Sequence, residues 1–220
     1  MDNEHQSVNR KLRIFQQSKE KSECLLAEGM RFASEECWKQ YPPAESLTEV
    51  LVTGARYLHR GYYCPSPVRH KIISNSRRGR ILCRPTSRSK ISHYYYFGPT
   101  GKLLIAKSVL PNGSMKTEYL VYLENKILGF AFDEWNTLVG LSEELYKDGR
   151  IINYFCASCF DHEADNLHMG ITEMNWEEYR YLGEDGLEAG VYFITFPMIE
   201  ITETDIDTLL HGGQYRFIGD

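Results

Sequence analysis

Apolar residues in the first forty positions recur at helical intervals. From about Val8 to Trp38 there is no proline, and Val8, Leu12 and Phe15 form one stripe, with Leu25, Leu26, Met30, Phe32, Ala33 and Cys37 forming another. Charged and amide residues fill the remaining faces, which predicts one long amphipathic helix or two joined. Tyr41-Pro42-Pro43 ends the pattern, because proline supplies no donor and disfavours helix in the residue before it. Ser46, three residues before Glu49, has the spacing of a capping box and predicts a short helix through Leu47, Val50 and Leu51.

After about Tyr57 the character changes to short runs rich in Tyr, Phe, Ile, Val and Leu, separated by turn clusters. The runs are 93–97, 102–109, 115–123, 127–133, 138–146, 150–160, 171–182 and 187–198. Between them stand Gly98-Pro99-Thr100-Gly101, Pro111-Asn112-Gly113, Lys147-Asp148-Gly149 and the stretch from Gly183 to Gly186. Asn-Gly and Asp-Gly suit tight hairpins because they tolerate positive φ cheaply. Strands joined by such short turns pair antiparallel, which predicts a meander of roughly eight strands. The segment from Thr202 to Leu210 reads as a short helix ended by Gly212-Gly213. The expected class is α+β: N-terminal amphipathic helices packed on a mostly antiparallel meander, with a short C-terminal helix. Residues 1–58 form the helical segment and 59–220 the β domain, together one compact unit.

Three stretches carry a resemblance. Tyr94-Tyr-Tyr-Phe-Gly-Pro-Thr-Gly-Lys-Leu103, Asn112-Gly113 with Glu118-Tyr-Leu-Val-Tyr122, and Tyr146-Lys-Asp-Gly-Arg150 resemble the aromatic-then-glycine hairpin units of YD-repeat and MORN-type meanders. Similar meanders occur in small bacterial proteins, some of which look like immunity proteins of polymorphic toxin systems. The resemblance covers about residues 93–200 and implies a binding surface rather than particular functional residues.

Charge adds a second pattern. The net charge is −5, but residues 50–117 carry 13 basic and no acidic side chains, whereas residues 118–220 carry 5 basic and 21 acidic ones. Either the two blocks pair with each other inside one fold, or they present separate charged faces. The N-terminus has no basic flank leading into an apolar stretch, and the run from Gly190 to Ile199 is about half of a membrane span. A soluble cytoplasmic protein with no membrane contact is expected, its six cysteines reduced.

Motifs for catalysis and for cofactors are not found. Cys156-Ala-Ser-Cys159 with His162 and His168 suggests half of a zinc site. The odd cysteine separation on a strand sends the two side chains to opposite faces, so structural thiols and surface histidines are expected and no metal. Asp161, Glu163, Asp165 and Asn166 lack the glycine and the closing glutamate of a calcium loop. No serine has nucleophile-elbow glycines, spacing ties no histidine to a nucleophile, and the glycines mark turns rather than a phosphate cradle. A non-catalytic protein without cofactor is expected, with an unrecognised hydrolase site as a minor alternative.

Two surfaces are candidates for a partner. On the acidic side, Trp176, Glu177, Glu178, Tyr179, Glu184 and Asp185 combine carboxylates with interface-anchoring aromatics, and Trp135 and Tyr181 lie nearby in sequence. Such a patch mimics a phosphate surface and suits the blockade of a basic toxin domain by an immunity protein. The alternative is a nucleic-acid face in the arginine-rich segment 69–90, carried by Arg77, Arg78, Arg80 and Arg84.

Overall fold

The computed structural model describes residues 2–56, 58–73, 75–161, 169–183, 186–195, 200–208 and 215–218. A long helix and a large antiparallel sheet account for most of them, as the α+β pattern implied. The helix α1 (Asp2–Ser34) is a single element of 33 residues. Glu36 in the left-handed region (φ 48°) and a 3-10 turn at Cys37–Gln40 finish it. No described helix is long and apolar enough to cross a membrane.

Contacts divide the chain into two compact units. One comprises Gly29–Leu123 and Ile127–Val139; the other comprises Met1–Glu28, Glu124–Lys126 and Gly140–Asp220. The first holds β1 (Thr48–Thr53), β2 (Arg80–Ile81), β3 (His93–Phe97), β4 (Leu103–Val109), β5 (Met115–Tyr122) and β6 (Lys126–Phe132), in the spatial order β2-β1-β3-β4-β5-β6. β1 replaces the short helix expected after Ser46. Ser46 Oγ donates to the Pro43 carbonyl at 2.7 Å instead of capping. The β-branched run Thr48 to Thr53 gains partners on both sides, β3 and β2. Tertiary pairing outweighs a local helix signal here.

The two faces of this sheet are covered differently. On one, Phe32 near the end of α1 lies among Trp38, Tyr41, Tyr119, Phe130 and Phe132, with ring centroids 5.1–6.3 Å away. On the other, Val52, Tyr95, Ala106 and Leu120 are buried, with Tyr62 and Tyr63 packed against them. Those two tyrosines belong to the long connection between β1 and β3, residues 54–92. It contains a 3-10 turn at Gly61–Tyr63, the one-turn helix α2 (Arg69–Ile72) and β2.

The second unit holds β7 (Leu138–Lys147), β8 (Arg150–Asp161), β9 (Met169–Leu182), β10 (Gly186–Thr195), β11 (Glu200–Thr208) and β12 (Tyr215–Ile218), each pairing with the next. Twelve strands are therefore described, rather than eight. The expected C-terminal helix is the strand β11, paired with β10 from Leu187↔Thr208 to Thr195↔Glu200. Its sequence explains the correction: Thr202, Thr204, Ile206 and Thr208 alternate with acidic residues, a period of two that favours a strand. α1 lies on one side of this unit. Lys21 Nζ is 2.5 Å from Glu143 Oε1, 3.1 Å from Asn153 Oδ1 and 4.7 Å above the Trp176 ring. Arg10 is 5.6 Å from the Tyr192 ring centroid and 3.9 Å from Glu178.

Candidate functional site

The acidic candidate surface sits on β9, an interior strand paired on both sides. Three of its four described residues are buried. Trp176 lies under Lys21, and Trp176, Glu177 and Tyr179 are all buried. Glu177 takes its hydrogen bonds from within: Asn175 Nδ2 donates to Oε1 at 2.5 Å, and Tyr179 OH donates to Oε2. These three residues are thus part of the interior, which corrects the expectation that they form a partner surface. Glu178 is partly exposed and faces Arg10, while Glu184 and Asp185 lie outside the described residues. Alternation along a strand with both faces covered places carboxylates inside as readily as outside, provided donors wait there.

Cys156 and Cys159 lie on β8, the first partly exposed and the second fully buried. Burial pushes the Cys159 thiol up to about 12. Among the described residues no group of three His, Cys, Asp or Glu is placed to hold a metal ion. His162 and His168 are outside the described residues, as are Glu163 and Asp165.

The basic segment has a different fate, and it is split by role. Arg78 is structural: its guanidinium donates to the carbonyls of Tyr62 at 3.2 Å, Cys64 at 2.8 Å and Ser66 at 2.5 Å. It staples the connection 54–92 to itself, so it is not a free contact for a ligand. Arg77, Arg80, Arg84 and Arg88 are exposed, and none has an ion-pair partner among the described residues.

Two of these arginines border a groove whose origin is readable in the backbone. β1 and β2 pair through Thr53↔Arg80, and a further bridge joins Arg56 and Arg77. Between these pairs lie Gly54 (φ 74°) and Gly79 (φ 82°), both in the left-handed region. A Cβ on Gly79 would stand 2.6 Å from the Thr53 carbonyl oxygen, so only glycine fits there. A Cβ on Gly54 would meet nothing within 4 Å. An open groove of about 450 Å³ lies here, lined by Thr53, Gly54, Arg77, Arg78, Gly79 and Arg80, with only Gly54 of the two glycines bordering open space.

What anchors this basic connection was not among the sequence candidates. Arg60, buried in the left-handed region (φ 58°), makes a two-pronged pair with buried Glu118 on β5: Nε to Oε2 at 3.1 Å and Nη2 to Oε1 at 2.9 Å. His59 Nε2 stands 3.2 Å from the same carboxylate. Burial alone would raise the Glu118 pKa; Arg60 and His59 overcome it and hold the carboxyl well below its usual range. Tyr95 OH donates to the Arg60 carbonyl at 2.8 Å and accepts from the Tyr62 amide at 2.9 Å. His93 stacks on Tyr95 with centroids 5.7 Å apart, and burial, helped by Lys116 and His59, lowers it to about 4. The imidazole of His59 is likewise lowered by burial against the pull of Glu118.

A signal for Glu118 did exist in the sequence. It shares its alternating face of β5 with Leu120 and Tyr122, so a carboxylate among inward apolar residues demanded a cation. Which of the 13 basic residues supplied it depended on the path of an irregular loop. No protein-family model, no curated protein and no solved structure matches this chain.

Proposed function

We propose that the chain is a non-catalytic binding protein that takes nucleic acid on the arginine-lined groove of its first unit. The observation that carries this reading is the division of labour within the basic segment. Arg60 and Arg78 are consumed by internal contacts, while Arg77, Arg80, Arg84 and Arg88 reach solvent with no carboxylate partner among the described residues. Unopposed guanidiniums attract phosphates, release their counterions on binding and bond phosphate oxygens in a forked geometry. The acidic surface expected of an immunity protein loses Trp176, Glu177 and Tyr179 to the interior, and so has fewer residues to offer.

The test compares two polyanions of different chemistry. A fluorescent single-stranded oligothymidylate is titrated with the full chain at low salt, and polyglutamate of similar charge serves as competitor. The reading expects the oligonucleotide to bind and polyglutamate to displace it poorly. Gly54→Asn, whose side chain tolerates positive φ and would enter the groove without changing charge, should weaken binding. No oligonucleotide binding at low salt, or equal displacement by polyglutamate, would count against nucleic acid as the ligand.

A further inference from the structure

The groove lies at one end of its sheet, and the register shows what else projects from that end. Thr53 pairs with Arg80, Ser92 N donates to the Val52 carbonyl, Val109 N donates to the Ser92 carbonyl, and Val109 pairs with Met115. On β6, Phe132 opposite Thr117 is the last strand residue before the turn from Asp133 to Thr137. Along one edge of the unit, therefore, come the arginine groove, then Lys116 with Met115 beside it, then the turn carrying Trp135.

That turn is built to hold an aromatic side chain out in solvent. Asp133 Oδ1 accepts from the amides of Trp135 at 2.9 Å and Thr137 at 2.8 Å, and Asp133 N donates to the Thr137 carbonyl at 3.0 Å. Asn136 supplies the left-handed position, with φ 62°. Trp135 is 75% exposed, the highest value among the exposed large hydrophobic residues described. Leu110 and Met115 at the neighbouring turn are exposed as well. A rigid backbone costs little further entropy when the ring it displays is covered by a ligand.

We infer that this edge binds a single strand, with Arg77 and Arg80 on its phosphates and Trp135 as the platform on which a base stacks. This rests on the nucleic-acid reading above and specifies the form of the ligand. Strand spacing puts the groove and the tryptophan roughly 20–25 Å apart across the sheet, with Lys116, half-buried on β5, between them. A path with cations at one end and an exposed aromatic at the other is the layout that grips a single strand, because every unpaired base offers a face for stacking. A duplex keeps its bases stacked on one another and has none free for the indole.

The experiment uses the full chain, an oligothymidylate of about 12 nucleotides and the matching duplex. The expected result is tighter binding of the single strand, quenching of tryptophan fluorescence that disappears in Trp135→Phe, and an affinity for the single strand about 5- to 100-fold lower in Trp135→Ala. The salt dependence of Trp135→Ala should match the unaltered protein, since no phosphate contact has been removed. Arg77→Gln with Arg80→Gln should instead flatten the salt dependence and leave the quenching per bound strand unchanged. Binding of single strand and duplex with equal affinity, indifferent to Trp135→Ala, overturns the stacking role and leaves the arginine groove standing. Absence of binding to either probe overturns both, and redirects Trp135 to a protein partner.

Discussion

Replacing Arg60 with methionine keeps most of the aliphatic stem and deletes the guanidinium. Glu118 then remains buried and loses two charge-assisted bonds of 3.1 and 2.9 Å. Removing one partner of a buried ion pair costs about 3–5 kcal/mol, because the remaining charge must be kept unpaired or take up a proton. His59 at 3.2 Å offers Glu118 a residual donor, which places the expected loss near the lower end, about 3 kcal/mol. With a urea m-value of about 1.5 kcal/mol/M, the unfolding midpoint should fall by about 2 M. Glu118→Gln combined with Arg60→Met removes both charges and should recover part of that loss, giving a clear coupling energy. The assay is urea unfolding of all variants, with amide exchange on residues 54–92 to locate the effect. A loss below about 1 kcal/mol in Arg60→Met, or a double variant no better than the sum of the singles, would refute the pair as the anchor of the connection.

The remaining predictions concern the same unit and the thiols of both units. His59 and His93 are held neutral by burial, with folded values below their ordinary 6.5 and His93 at about 4. The unfolded chain therefore binds more protons, and stability present above pH 6.5 should decline as the pH falls from there toward 4, with Glu118 adding a further loss below its usual 4.5. Chemical unfolding across that range checks it, and His93→Phe should shallow the decline. Arg78→Lys, which loses the forked bonds to Tyr62, Cys64 and Ser66, should destabilise by roughly 1.5–3 kcal/mol, whereas Arg77→Gln should stay within about 0.5 kcal/mol. Thiol labelling of the native protein should modify exposed Cys24 and Cys83 and spare Cys159, which should react only after unfolding. Fast labelling of native Cys159 would contradict its burial.

Aromatic and β-branched runs and turn chemistry made most of the meander legible: 93–97, the Gly-Pro-Thr-Gly turn ending at Gly101, and the Asn-Gly and Asp-Gly turns at Gly113 and Gly149 are where these signals place them. Two segments carry local helix signals that strand pairing overrides. Ser46-x-x-Glu49 satisfies a capping spacing, yet its β-branched successors pair with β3. Thr202 to Leu210, followed by Gly212-Gly213, reads as a short helix, yet its described residues through Thr208 pair with β10. At the candidate sites, residue type was legible and exposure was not. Glu177 and Arg78 read as surface charges, and each is tied down by neighbours that only the fold brings near. Arg77 and Arg80 read the same way and do reach solvent, bordering an open groove.

Salt dependence of single-strand binding tests the arginine groove most directly. Between about 50 and 200 mM salt, log K against log salt should fall with a slope of about −2 or steeper if Arg77 and Arg80 of the groove and the exposed Arg84 outside its lining each meet a phosphate, at about 0.7 per contact. The triple glutamine variant should retain its folded stability and lose about two units of that slope. Binding that ignores salt, or a slope unchanged in the triple variant, would contradict the groove as the nucleic-acid site.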